Sequence, residues 1–141
     1  MRANAFEPWF VFLSLNAPHD PVVAPERLSR AYRQMFPNYP KSRIELLAAI
    51  RAIDENVERV VREANRLDRE TLVIFQSDNG GRNKAPYSVN NLQSCNFPYK
   101  GRKNTLFEGG TLSPAFIYST KEVFPERQIG QCQSSRVIQF H

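Results

Sequence analysis

Apolar residues fall along this chain in distinct patterns, and each pattern predicts its own element. Trp9 to Leu15 (WFVFLSL) is an almost unbroken apolar run, bounded by Pro8 and by Asn16-Ala17-Pro18. A run of that length without alternation predicts a strand buried on both faces, as in a parallel sheet. From Pro18 to Pro40, prolines at 18, 21, 25, 37 and 40 break any long helix and leave space for a short one around Glu26–Met35. So long an excursion is often functional. Lys41 to Leu67 follows as the clearest helix: Ile50, Ile53, Val57, Val60, Val61, Ala64 and Leu67 recur at helical spacing and make one apolar stripe. Glu55 with Arg59, and Glu58 with Arg62, stand four apart with the acid first, the better orientation for support on the exposed side. Ser42 and Glu45 have the spacing of a capping box.

Thr71 to Ser77 is a second buried run, and Thr111 to Ser119 (TLSPAFIYS) a third strand with Pro114 near its start. Asn83 to Pro98 between them is polar and irregular. The order strand, helix, strand, with an added strand, predicts an α/β fold: a partial parallel (mixed) sheet containing a βαβ unit. That order has a consequence for chemistry. Parallel strands point the same way, so residues just after each strand gather at the carboxyl edge, where open α/β sheets bind ligands. His19 follows the first strand, and Asp78 and Asn79 follow the second. An imidazole, a carboxylate and a carboxamide are thus expected on one rim.

Asp78 and Asn79 offer only oxygen to a cation, which suits a hard ion such as Ca²⁺ or Mg²⁺ and disfavours zinc. Gly80 and Gly81 permit a sharp turn that lets both side chains face one point; the same four residues are also ordinary turn chemistry. Lys103, with Lys100 and Arg102 nearby, can give charge-assisted hydrogen bonds to a phosphate or sulfate, or can simply be a solvated basic loop. Glu108 is placed to pair with one of those bases. His19, held between Pro18 and Asp20-Pro21, is a candidate general acid; a lone loop histidine is more often surface decoration.

Composition narrows the field. With 41% hydrophobic and 23% charged residues the chain is globular rather than disordered. The net charge of +5 is scattered from Arg2 to Arg136, and no nucleic-acid-reading motif accompanies it, so nucleic acid is not an expected partner. Two cysteines, Cys95 and Cys132, make neither a disulfide framework nor a zinc spacing. The N-terminal apolar run is interrupted by Glu7 and Pro8, so no signal peptide is expected, and no run reaches the ~20 residues of a membrane span.

The succession PWFVFLSLNAPHDPVVAP, then AIDENV within the long helix, then TLVIFQSDNGG, then GRKNTLFEGG, resembles the type I sulfatases, and within them the arylsulfatase B-like branch (N-acetylgalactosamine-4-sulfatase and its relatives). The resemblance covers roughly Pro8 to Ser119. It implies the alkaline-phosphatase-like sulfatase fold, with 1–120 as a central to C-terminal part of the catalytic domain and 121–141 as a divergent tail. It also implies sulfuric ester hydrolysis, Ca²⁺ held by Asp78 and Asn79, a sulfate-binding Lys103, and a His19 that contacts a sulfate oxygen and protonates the leaving alcohol. The implied substrates are sulfate esters, sulfated glycosaminoglycans among them, and the implied location is lysosomal or extracellular.

Two family motifs are missing from these residues: an Asp-Asp pair completing the calcium site, and the Cys-x-Pro-x-Arg that becomes formylglycine. Cys132-Gln133-Ser134-Ser135-Arg136 lacks the proline, and Cys95-Asn96-Phe97-Pro98 also fails the pattern. Leu112 stands where the family commonly has arginine, and no His-x-x-Asp-Trp-x-Pro-Thr stretch follows Thr120. The expectation is therefore a sulfatase fragment, inactive alone. A non-catalytic binder of sulfated glycans, or another phosphoryl- or sulfuryl-transfer enzyme of the same superfamily, are the competing readings.

Overall fold

The computed structural model describes residues 7–82, 95–121 and 137–140. Helix α1 spans Glu26–Met35 and α2 spans Lys41–Arg66. Each follows a proline, Pro25 or Pro40, whose φ of −56° already suits the turn into a helix, and neither has a side-chain cap. The Ser42–Glu45 capping box is not formed. Helix α2 starts one residue before Ser42, so its hydroxyl lies inside the helix, buried without a partner, and Glu45 instead accepts a 2.8 Å hydrogen bond from Ser29 of α1.

The two helices pack on each other where α1 meets the first half of α2. Leu28, Ser29, Ile44, Leu46, Ala48 and Ala49 are buried there. Ala48 and Ala49 carry little bulk, which allows close approach, while Ile44 supplies the apolar area, worth roughly 1.5–3 kcal/mol when fully buried. The stripe read from Ile50 to Leu67 is only partly covered: Ala64 is buried, but Ile50 is 41% exposed. At the polar rim, Glu58 pairs with Arg62 as expected. Glu55 does not pair with Arg59; it takes a bidentate contact from Arg27 of α1, with Arg51 3.8 Å away.

After α2 the chain forms β1 (Leu72–Gln76), a short helix α3 (Glu108–Thr111), β2 (Ala115–Ser119) and β3 (Val137–Phe140). These strands form one sheet in the order β1-β2-β3, antiparallel throughout, with Leu72 opposite Ser119 and Gln76 opposite Ala115. Phe75 and Phe116 face each other in this register and stack with centroids 5.2 Å apart, a cross-strand pair that locks it. At the far end, Thr71 and Thr120 close the ladder: Thr71 N–H donates to the Thr120 hydroxyl and Thr120 N–H to the Thr71 carbonyl.

The parallel pairing expected of a βαβ unit is absent among the described residues. Trp9–Leu15 joins no ladder, and Phe10 and Phe12 are 89% and 82% exposed. A continuous apolar run records a demand for burial but does not name the surface that meets it. Two polar contacts tie this segment to the residues around β1: Arg69 donates to the Glu7 carbonyl at 2.9 Å, and Arg82 donates to Asp20 at 3.2 Å. No described helix is long and apolar enough to cross a membrane.

Hydrogen bonding from Arg27 holds the Glu55 carboxyl below its ordinary range, against the opposing effect of desolvation. A carboxylate whose folded value is depressed adds stability above its unfolded value, and that contribution is lost as pH falls through the folded one. Glu55→Gln should therefore lower Tm slightly at neutral pH and flatten its decline on acidification, measured by thermal unfolding across pH. Parallel curves for the two proteins would remove the pair from the α1–α2 contact.

Candidate functional site

Strand β1 delivers its last residues into a loop whose shape is fixed from outside. Ser77 N–H donates to the Pro114 carbonyl at 3.0 Å, carrying the ladder one residue beyond β1, and the Ser77 hydroxyl donates to the Asn79 carbonyl at 3.2 Å. Gly80 N–H then donates to the Gly110 carbonyl at 3.0 Å. At Gly80 the backbone of the second loop comes so near that a Cβ would lie 2.1 Å from the Gly109 carbonyl oxygen; at Gly110 it would lie 2.3 Å from that of Arg102. Gly80 has no positive φ. The sequence reading assigned this glycine to a sharp turn, whereas the structure requires it for a close backbone approach.

The second loop, Lys100 to Gly110, is folded on itself. The Thr105 hydroxyl accepts from Arg102 N–H at 3.0 Å and donates to the Arg102 carbonyl at 2.7 Å, and Asn104 takes the left-handed conformation at φ 71°. Glu108 makes no ion pair among the described residues, contrary to expectation. The loop is closed instead by Gly109 N–H on the Lys100 carbonyl at 2.8 Å, while the Lys100 ammonium lies over the Phe107 ring, 4.3 Å from its centre.

Lys103 joins the two loops: its N–H donates to the Gly81 carbonyl at 3.1 Å. Its side chain is half-buried and has no ionic partner among the described residues. Asp78 is exposed and its carboxylate is likewise unpaired there. Asn79 spends its amide N–H on the Gly80 carbonyl at 2.9 Å, which leaves Oδ1 as an acceptor. Asp78 and Asn79 thus offer a carboxylate and an amide oxygen, a set that fits part of the shell of a hard divalent cation. No group of three His, Cys, Asp or Glu side chains converges among the described residues.

His19 is exposed on a turn closed by its own N–H on the Asn16 carbonyl at 3.0 Å. Its Nδ1 lies 2.7 Å from the Asp20 carbonyl oxygen. A carbonyl only accepts, so Nδ1 carries the hydrogen and Nε2 is the nitrogen left for chemistry. The Asp20–Arg82 pair joins this turn to the residue after Gly81. The structure therefore links all three predicted segments, by direct backbone contact for the loops of Asp78 and Lys103 and through Asp20–Arg82 for the His19 turn.

Sequence reasoning missed Asn96, whose side chain accepts from Gly81 N–H at 3.0 Å and donates to the Gly81 and Gly101 carbonyls at 2.9 and 3.1 Å. It lies in a stretch read as irregular, with no periodicity to mark it. Cys95 is exposed with a free thiol, and Cys132 lies outside the described residues.

The sequence profile of the family described as Sulfatase matches residues 2–136. Among curated relatives, the chain is 28% identical to the uncharacterized sulfatase YdeN of Escherichia coli, over 79% of this chain and 19% of that protein. It is 30% identical to arylsulfatase J of Mus musculus, over 80% of this chain and 18% of that protein. It is 31% identical to N-acetylgalactosamine-6-sulfatase of the same species, over 79% and 19%. The chain thus spans about a fifth of the length of these relatives. They do not support the narrower arylsulfatase B-like assignment. No solved structure gives a significant match.

The contact at Gly80 generates a direct test. Gly80→Ala places a methyl group against backbone that no rotamer change can relieve, so a loss of about 2 kcal/mol or more is expected by urea unfolding. A change within about 0.5 kcal/mol would mean that the two loops are not packed backbone to backbone.

Proposed function

The chain belongs to the sulfatase family, and from that premise we propose that it is a section of a sulfuric ester hydrolase that contributes part of a calcium and sulfate site. The observation that carries this reading is the hydrogen bond from Lys103 N–H to the Gly81 carbonyl, which joins the backbone of the residue bearing a cationic side chain to the loop of Asp78 and Asn79. Oxygen donors for a cation and a base for an anion would thereby sit on two joined loops.

Asp78 and Asn79 would hold Ca²⁺ through a carboxylate oxygen and Oδ1. When bound, the ion supplies positive charge against the sulfuryl oxygens. Lys103 would give a charge-assisted hydrogen bond to a sulfate oxygen, stronger as negative charge grows during S–O cleavage. His19, protonated on both nitrogens, would pass the Nε2 proton to the departing alcohol oxygen while Nδ1–H stays on the Asp20 carbonyl. These residues contain no Cys-x-Pro-x-Arg, so the reading assigns them binding and proton transfer, with the attacking group supplied from elsewhere. Sulfate esters are the substrate class. A sulfated N-acetylgalactosamine accords with the relative named N-acetylgalactosamine-6-sulfatase, and we extend the proposal to sulfated glycosaminoglycans and a lysosomal or extracellular location.

Two substitutions in an intact sulfatase carrying this segment test the assignment. Lys103→Ala should lower kcat/KM by about 10²- to 10³-fold, and unchanged kinetics would remove Lys103 from the site. His19→Ala should slow hydrolysis of alkyl sulfates by about 10²-fold or more, yet cost far less with a nitrophenyl sulfate, whose leaving group needs no proton. Equal losses on both substrates would rule out general-acid catalysis by His19.

A further inference from the structure

We propose that Asn96 is a positioning residue for both halves of the site, the clasp that fixes the loop of Lys103 against the loop of Asp78 and Asn79. The proposal rests on the reading of these loops as a calcium and sulfate site, and adds to it the group that sets their separation. Asn96 uses both ends of its carboxamide. Oδ1 accepts from Gly81 N–H, and Nδ2 donates to the carbonyls of Gly81 and Gly101. One planar side chain thus engages both polar groups of the Gly81 backbone, as the peptide of an adjacent strand would. The Gly81 carbonyl also receives Lys103 N–H. Asn96 therefore binds the residue two after Asn79 and the residue two before Lys103, and it shares an acceptor with Lys103 itself.

The need for such a group follows from the residues it holds. Gly81 and Gly101 have no side chains with which to order themselves, and glycine gives backbone its greatest freedom. Gly101 sits at φ +91°, a conformation that glycine reaches without steric cost but that nothing in its own chemistry selects. Close packing at Gly80 and the single backbone bond from Lys103 to Gly81 join the loops, but both run through glycines that do not order themselves. Asn96 adds a side-chain anchor that holds Gly81 and Gly101 at once. Catalytic groups misplaced by about 1 Å lose much of their effect, so a pivot here would separate Lys103 from the oxygens of Asp78 and Asn79.

Asparagine is required because the clasp needs an acceptor and two donor hydrogens on one planar group. Asn96→Asp keeps the shape, removes both donors and sets a carboxylate against two carbonyl oxygens. Asn96→Ala removes the group altogether.

Hydrogen exchange followed by NMR on the 141-residue chain compares both variants with the native sequence. The expected result is that the amides of Gly81 and Lys103 exchange about tenfold faster or more, while amides of the β1–β2 ladder keep their protection. In the intact enzyme, kcat should fall about tenfold or more, KM for a sulfate ester should change less than about threefold, and activation should need more calcium chloride. Unchanged exchange at Gly81 and Lys103 would overturn the proposal. So would equal acceleration throughout the ladder, which would make Asn96 a general stabiliser. Should the native enzyme neither cleave sulfate esters nor respond to calcium, the functional reading fails, and the exchange comparison alone decides whether Asn96 is the clasp.

Discussion

The two loops that carry the candidate residues are joined by a contact made without side chains: the apposition of the backbone at Gly80 with that at Gly109 and Gly110. Two loops, one leaving β1 and one entering β2, meet at a separation that excludes even a methyl group. The antiparallel pairing of β1 with β2 brings the ends of these loops together, since Gln76 stands opposite Ala115 and the ladder runs on to Ser77 and Pro114. From there the Lys103 N–H reaches the Gly81 carbonyl, and the Thr105 hydroxyl braces Arg102. The placing of the candidate residues Asp78, Asn79 and Lys103 thus rests on backbone packing between the loops.

The helices contribute in another way. Their buried contact is small and lies mainly between α1 and the first half of α2. The later half of α2 connects to the sheet through specific polar contacts, such as the 2.8 Å bond from the Tyr118 hydroxyl to Asn65. Two arginines flanking β1 do comparable work for the N-terminal segment, Arg69 at Glu7 and Arg82 at Asp20. The second of these joins the His19 turn to the loop that follows β1. Arginine suits the task because its guanidinium stays charged and offers several donors in a fixed plane.

Local elements were legible where periodicity or punctuation defines them. Helix α1 has the expected bounds, α2 ends one residue before the expected Leu67, and β1 lies inside the expected Thr71–Ser77. The third strand begins later than expected, because Thr111 completes the short helix α3 and Pro114 precedes the ladder. Strand direction was not legible: an apolar run has no polarity, and Thr71–Ser77 reads the same whichever neighbour it takes. The candidate residues Asp78 and Asn79 could be chosen from their chemistry and their place after a strand, and Lys103 from its place in a basic loop. Asn96 could not, since its role exists only once residues 15 positions apart are folded together. Glu55 makes the same point among the helices, where a partner 28 residues away displaced the one four residues along.

Among the described residues the sheet has an open side: in the order β1-β2-β3, β1 is an edge strand, and Leu72 and Ile74 are 50% and 65% exposed. An edge with unpaired N–H and C=O groups is a template for further strands, and natural proteins usually guard it with charge, proline or a bulge. Leu-Val-Ile-Phe carries none of these, and the apolar Trp9–Leu15 segment lies equally uncovered. An uncovered apolar edge of this kind favours pairing with a further strand, and any such pairing strengthens with concentration.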